Sequence, residues 1–301
     1  MTHRLRRTFI FTLLVSITLG LSAKPSALVF QSDFGLGDGA VSAMQGVAYT
    51  VSPELDIFDL THEIPPYDIW VAALTLEQTA SYWPAGTVFV SVVDPGVGTE
   101  RKSVVLKTKT GHYFVTPDNG TLTFVAQSLG IAEVREIDEA INRRKDSTQS
   151  YTFHGRDVYA YTGARLASGV ISFKEIGPKL EGILSIPYQA ASFDPDTKSL
   201  RGTIFKLDGR YGNVWTNIPK DMFELLDPAF GETFTITIHQ GDKLIYTGSI
   251  PYCETFGSVP EGDPLLYLNS LLNLSLALNM DDFAAQHGIG YGPDWRITIS
   301  K

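Results

Sequence analysis

Thr87-Val88-Phe89-Val90-Ser91-Val92-Val93-Asp94-Pro95-Gly96-Val97-Gly98-Thr99-Glu100-Arg101 reads as an apolar run that breaks into a tight glycine turn. β-Branched and aromatic residues fit a buried strand. An aspartate stands where that strand ends, and an arginine follows seven residues later. The first apolar run, Ala27-Leu28-Val29-Phe30-Gln31-Ser32, ends on Asp33 in the same way. In open α/β sheets, ligands collect just beyond the carboxyl ends of the strands. Two strand-end aspartates beside glycine turns therefore point to a small-molecule site rather than a binding scaffold.

Working outward, residues 26–188 alternate strand and helix. The patterning predicts strands at 27–32, 55–60, 87–93, 103–108, 112–116 and 132–137, with helices at 38–51, 68–82, 121–129 and 156–168. The helix at 68–82 opens on Asp68, a suitable N-cap, and carries Trp70, Val71, Leu74 and Gln78 at three- and four-residue steps. Such alternation implies an α/β domain with a largely parallel sheet and helices on both faces. Residues 189–199 are polar and contain Asp194-Pro195-Asp196, the composition of a linker. Beyond them, short alternating runs at 201–208, 213–216, 233–239, 243–250 and 264–269 are separated by Gly and Asp turns. Residues 200–301 therefore read as a smaller all-β, barrel-like domain.

With 301 residues, 44% of them apolar, the chain can bury a core in each domain. Its formal net charge of −9 shows no basic stripe, so nucleic acid is not an expected partner. Residues 1–23 differ from the rest. Arg4, Arg6 and Arg7 precede an apolar run from Phe9 to Leu21, and Ser22-Ala23 follow. That is the layout of a secretory signal peptide, which predicts export and no membrane attachment after cleavage. An uncleaved anchor is the alternative, although the run is short for a spanning helix. With one cysteine, Cys253, no internal disulfide can form, and no C-x-x-C or H-E-x-x-H spacing supports a metal site.

Four constellations can carry chemistry, and each has a plainer reading. Asp33-Phe34-Gly35-Leu36-Gly37-Asp38-Gly39 lies between a strand and a helix, where a carboxylate suits a ribose diol; the alternative is a turn with Asp38 capping the helix. Arg101 can orient Asp94 as a carboxylate, or simply brace the loop. In Phe153-His154-Gly155-Arg156-Asp157, His154 sits at a helix N-terminus, which disfavours imidazolium; as a neutral base it could accept a proton, or it could be structural. In Asp208-Gly209-Arg210-Tyr211-Gly212-Asn213-Val214-Trp215, Tyr211 can stack on a flat base and Asn213 can match the N6 and N7 edge of adenine. The same turn could instead be an ordinary one with core aromatics. Phe256 and Asn269-Ser270 are further candidates, and Pro117-Asp118-Asn119-Gly120 reads mainly as a turn.

Taken in order with Thr61-His62-Glu63-Ile64-Pro65-Pro66 and Gly212-Asn213-Val214-Trp215-Thr216-Asn217, these segments resemble the S-adenosyl-L-methionine hydroxide adenosyltransferases, relatives of the fluorinase and chlorinase enzymes. The likeness covers about residues 26 to 280. It implies a catalytic set of Asp94, Arg101 and His154, ribose contact by Asp33, and contact with the sugar and sulfonium near Tyr67 and Phe153. Adenine would meet Tyr211, Asn213 and Phe256, and the methionine end would lie near Ser270. No cofactor is implied, because S-adenosyl-L-methionine is the substrate. The resemblance also implies a homotrimer, with each site between the α/β domain of one subunit and the β domain of its neighbour. Two departures stand out. Leu271 occupies the place of an arginine that helps hold the methionine carboxylate in related halogenases. Met280-Asp281-Asp282-Phe283-Ala284-Ala285-Gln286-His287-Gly288 lacks the family's small-residue pattern, so no adenine contact is carried over from it.

The implied reaction is attack of water on ribose C5′, giving adenosine and methionine. Asp94 and His154 would orient and deprotonate the water, and Arg101 would stabilise developing hydroxide. Two rivals are a halide-using transferase and an exported, non-catalytic binder of adenosine or S-adenosyl-L-methionine. A carboxylate beside the nucleophile repels an anion, which argues against the halide.

Overall fold

The computed structural model describes residues 26–301, so the expected signal peptide at 1–23 lies outside the described residues. The first sheet holds seven strands: β1 (Leu28–Ser32), β2 (Ile57–Thr61), β3 (Val88–Val92), β4 (Ser103–Thr108), β5 (Tyr113–Pro117), β6 (Ile131–Glu136) and β7 (Lys179–Leu180). Their order is β2-β1-β3-β5-β4-β6-β7. Parallel pairing is confined to the β2-β1-β3-β5 half. The other half is antiparallel, so the sheet is mixed. The reason is local. Only four residues join β4 to β5, and a connection that short can return the chain only as a hairpin.

Both faces of this sheet are covered, as expected. Side chains alternate along a strand, and here Leu28, Phe30, Val88 and Val90 enter one core while Val29 and Phe89 enter another. The first core lies under α1 (Ala40–Val51) and the helical stretch beginning at Gly155. The second lies under α2 (Ile69–Ala80) and α3 (Thr123–Ser128). Asp68 caps α2, its carboxylate accepting the Val71 N–H at 2.9 Å. A short helix, α4 (Glu139–Asn142), precedes a π-helical turn, Gly155–Ala160, which continues as α5 (Tyr161–Ala167).

The second domain is antiparallel. Its strands are β8 (Ser192–Asp194), β9 (Ser199–Asp208), β10 (Asn213–Pro219), β11 (Thr233–Gln240), β12 (Lys243–Pro251), β13 (Pro264–Leu268), β14 (Asn273–Leu278) and β15 (Trp295–Ser300). The order β12-β11-β15-β9-β10-β14-β13 leaves β12 and β13 at the ends, and a bridge between Tyr252 and Leu266 draws those ends together into a nearly closed barrel. One core fills it, with Ile236, Ile238, Ile297, Ile299 and Leu276 among its members. Two short helices, α6 (Lys220–Phe223) and α7 (Phe283–His287), sit between strands. The stretch read as a linker holds β8, which folds back on β9 through a turn in which Asp194 accepts the Asp196 and Thr197 N–H groups. Three residues are too few for sequence alternation to register.

The domains are fastened directly. Trp70 donates its indole N–H to the Phe205 carbonyl at 2.8 Å, and its ring meets Phe124, Tyr188 and Phe205 edge-on. The Tyr291 hydroxyl donates to the remaining oxygen of the capping Asp68 at 2.7 Å. Among the described residues, no helix is long and apolar enough to cross a membrane.

Candidate active site

The chain leaves β1 to build β2 on one side, then returns through α2 to build β3 on the other. Strand order thus reverses at β1 and β3, which is where a crevice opens at the carboxyl ends of an α/β sheet. Ser32 pairs with Val92, so Asp33 and Asp94 leave neighbouring strands side by side. Asp33, Phe34, Pro66, Tyr67, Val92, Asp94, Val97, Thr152, Phe153, His154 and Gly155 line a cavity of about 400 Å³ there. Four widely separated stretches, expected from sequence to meet, therefore do meet.

Asp33 is oriented by the backbone of Tyr67, whose N–H donates to Oδ2 at 2.9 Å. Tyr67 itself has φ +68, a left-handed conformation that costs a non-glycine residue about 1–3 kcal/mol. The residue is 72% exposed and lines the cavity. A carboxylate oxygen carries two lone pairs, so Asp33 keeps capacity for further donors such as a diol.

Below Asp33 lies a closed polar network. Arg101 donates from Nε to Asp94 Oδ1 at 2.9 Å and from Nη2 to Oδ2. Nη2 also stands 2.9 Å from His154 Nδ1, and Nη1 donates to Ser103 Oγ at 3.0 Å. Ser103 Oγ is 3.1 Å from the Tyr159 hydroxyl, which donates to Asp94 Oδ2 at 3.4 Å. The loop Arg101–Ser103–Tyr159–Asp94 thus closes on itself. Burial pushes the Tyr159 phenol far above its usual range, with the Asp94 charge adding to it, so this hydroxyl acts as a donor. Burial opposes the Arg101 charge and is the largest single influence, but the hydrogen bonds to Asp94 together with the charges of Tyr159, Asp94 and Glu139 outweigh it, and its pKa stands raised.

Two glycines make the loop possible. Gly98 has φ +77, and a Cβ there would stand 3.2 Å from the Tyr151 carbonyl oxygen. A Cβ on Gly96 would press 3.3 Å from Arg101 Cγ.

Arg101 is not among the residues lining the cavity; its N–H groups are turned to Asp94, Ser103 and His154, the placement that orienting Asp94 requires. His154 is more enclosed than its helix-terminal place implies. Arg143 Nη2 lies 3.0 Å from its Nε2, so each ring nitrogen faces a guanidinium. The His154 pKa is lowered, burial being the largest cause; Arg101 and Arg143 lower it further, while Glu139 and Asp94 act in the opposite sense. Sequence reasoning missed Ser103, Tyr159 and Arg143. Tyr159 reaches the site through a π-helical turn that an ordinary helical period does not announce, and Arg143 lies in a polar run that carries no signal either.

The β-domain candidates gather elsewhere. Tyr211, Asn213, Phe256 and Ser270 line a second cavity of about 700 Å³, with Asp208, Arg210, Trp215, Tyr267 and Asn269. Tyr211 is 65% exposed and Phe256 41%. Asn213 is buried at the start of β10, and its Nδ2 reaches Asp208 Oδ2 at 3.5 Å. Met280, Asp281 and Asp282 also line this cavity, so the segment from which no contact was carried over does face it. Asn269 is a turn-former: its Oδ1 accepts the N–H groups of Leu271 and Asn273. The two cavities share no lining residue within one chain. Among the described residues, no group of His, Cys, Asp and Glu is placed to hold a metal ion.

With this geometry in hand, similarity to known proteins is informative. Residues 28–177 match the SAM hydroxide adenosyltransferase N-terminal domain, and residues 202–296 match its C-terminal domain. An (R)-S-adenosyl-L-methionine hydrolase of Salinispora arenicola is 32% identical over 273 residues, covering 89% of this chain and 96% of the relative. A hydrolase of the same name from Methanocaldococcus jannaschii is 39% identical over 198 residues, 64% of this chain and 67% of the relative. A fluorinase of Actinopolyspora mzabensis is 27% identical, over 91% of this chain and 97% of its own. The crystal structure of an uncharacterized conserved protein from Thermotoga maritima superposes with a TM-score of 0.80 at 33% identity, covering 91% of this chain and 100% of that one. This chain belongs to the SAM hydroxide adenosyltransferase family.

Proposed function

We propose that this protein hydrolyses S-adenosyl-L-methionine to adenosine and L-methionine. The observation that carries this reading is the convergence of Asp94 and His154, braced by Arg101, on a cavity whose mouth is set by Asp33 and Tyr67. A water oxygen forms the new bond to C5′ as the C5′–S bond breaks. The sulfonium takes that electron pair and leaves as the neutral thioether of methionine. The water loses one proton. Asp94 accepts it, because each nitrogen of His154 already faces a guanidinium donor. Holding the water and the sugar in line can supply roughly 7–11 kcal/mol of the barrier in the most favourable cases.

Two further parts belong to the same proposal. The aromatic cavity with Tyr211 and Asn213 takes the adenine, and it completes the Asp94 cavity of a neighbouring subunit in a homotrimer. That the two cavities share no lining residue within one chain supports this arrangement. Residues 1–23 direct export, on the strength of their three arginines and apolar run.

The test is turnover of S-adenosyl-L-methionine in ¹⁸O-water by the purified protein. Label in the adenosine 5′-hydroxyl is the expected result. Turnover that depends on chloride or fluoride, or tight binding with none, overturns the hydrolase reading. Sedimentation at a trimer's mass and a mature N-terminus after Ala23 are the companion expectations.

A further inference from the structure

His154 meets more positive charge than the holding of a water requires. Arg101 stands at Nδ1 and Arg143 at Nε2, at 2.9 and 3.0 Å. Arg143 follows α4 and is itself deeply buried, its side chain 4% exposed. It lies 4.6 Å over the Tyr151 ring, and its Nε pairs with Glu139 at 3.3 Å. Its Nη1 is buried with no hydrogen-bond partner among the described residues. A buried guanidinium with an idle donor is costly to stability, and packing alone would be served by an apolar side chain.

The chemistry of the contact is one-sided. A guanidinium only donates, and a neutral imidazole has one lone pair to offer. One ring nitrogen therefore accepts from one arginine, while the N–H at the other faces the second guanidinium without a hydrogen bond between them. An imidazolium would accept from neither, and would set a third positive charge between two fixed ones. Two carboxylates act the other way: Glu139, paired with Arg143 and partly exposed, is the stronger, and Asp94, paired with Arg101, the weaker; the rings of Tyr151 and Tyr159 flank at 6.1 and 6.5 Å.

We propose that Arg143 is a positioning residue that clamps His154 from the side opposite Arg101 and keeps it uncharged, so that the proton leaving the attacking water goes to Asp94. The part played by the proton rests on the hydrolase reading; the clamp does not. The burial of His154 and its two arginines act in one direction, so removing one arginine raises the pH at which the ring takes a proton.

An NMR titration of the full chain carrying ¹⁵N-histidine tests this, with the His154 signals identified by their loss in His154→Asn. In the wild type, His154 stays neutral through the pH near 6.5 where free histidine titrates. In Arg143→Gln its midpoint rises by about one pH unit, the effect of removing a like charge at this range. The acid limb of kcat/KM for S-adenosyl-L-methionine rises with it, while KM on the plateau holds, because Arg143 does not line the substrate cavity. R143K keeps the charge and returns the midpoint toward the wild-type value. A purely structural Arg143 would lower the melting temperature and the plateau rate of both variants and leave the His154 midpoint in place; that result overturns the proposal. If R143Q does not fold, R143K decides, since a midpoint at the ordinary histidine value in that variant also overturns it. A shifted midpoint in a protein that never turns over S-adenosyl-L-methionine leaves the clamp standing and removes the hydrolase reading.

Discussion

The cavity at Asp94 and the cavity at Tyr211 are made of opposite materials. Asp94, Arg101, Ser103, Tyr159 and His154 are tied to one another and largely buried, on strand ends and a helix start of the α/β domain. Around Tyr211, large apolar side chains stand open; Met280 is 83% exposed. A fixed array of dipoles needs no reorganisation when charge moves, which is what a reacting centre requires. Exposed aromatic faces instead suit something flat laid on them, or another subunit closed over them. On the proposed function, rigidity would handle the reacting end of the substrate, and a surface completed on binding the recognition end.

The largest effect should come from cutting the rigid half. Asp94→Ala removes the proton acceptor and leaves Arg101 without its main partner. We expect kcat to fall by about 10²–10⁴-fold, the usual worth of a general base, while calorimetry still finds adenosine bound within a few-fold of wild type. Turnover unchanged in that variant would falsify the role of Asp94 in the reaction.

The open half should fail differently. Tyr211→Ala loses a stacking face, worth about 1–3 kcal/mol or roughly 5- to 150-fold in adenosine affinity, with kcat far less affected. Asn213→Ala should behave alike through its lost amide. Because the two halves are separate within a chain, the variants can be combined. D94A and N213A subunits, each weak alone, are mixed after reversible dissociation and assayed. Recovery of activity is expected if one subunit's reacting centre serves its neighbour's adenine pocket. No recovery, with mixed trimers demonstrated by mass, would show that each chain uses its own pair of cavities.

What the sequence disclosed follows the same division. Asp33 and Asp94 were legible because β-branched runs broke into glycine turns, and a sheet must deliver such residues to its carboxyl edge. The alternation of Leu28, Val29 and Phe30 between two cores needed only the period of a strand. The antiparallel half of the first sheet was not legible as such, since pairing partners are set by connections and not by strand composition. In the barrel, β14 is leucine-rich, Asn273-Leu274-Ser275-Leu276-Ala277-Leu278, and lacks the β-branched signature; β15 follows a turn-rich stretch and passed unread. Arg143 was hidden for a physical reason too. It sits in Arg143-Arg144-Lys145-Asp146, a run that composition assigns to solvent, and only tertiary packing buries its first member against His154.

Leu271 provides the smallest test, and a sharp one. The related halogenases have arginine at this place, and its replacement by leucine left the methionine carboxylate without an obvious partner in the sequence. The structure puts the residue on the wrong side of its turn for that task. Asn269 gathers the turn by accepting the Leu271 and Asn273 N–H groups, and Leu272 takes φ +59. Ser270 consequently lines the Tyr211 cavity, whereas Leu271 lines a different cleft between the domains, shared with Glu77, Gln78 and Tyr188. An arginine placed there would meet Glu77, whose pKa is raised chiefly by burial, before it met a ligand in the neighbouring cavity. Leu271→Arg should therefore change KM for S-adenosyl-L-methionine by less than about fivefold, the reach of a partly exposed ion pair of up to ~1 kcal/mol. A tenfold or greater fall in KM would mean that this side chain does enter the recognition cavity, and that the open half is more finely shaped around the methionine end than its exposed aromatics suggest.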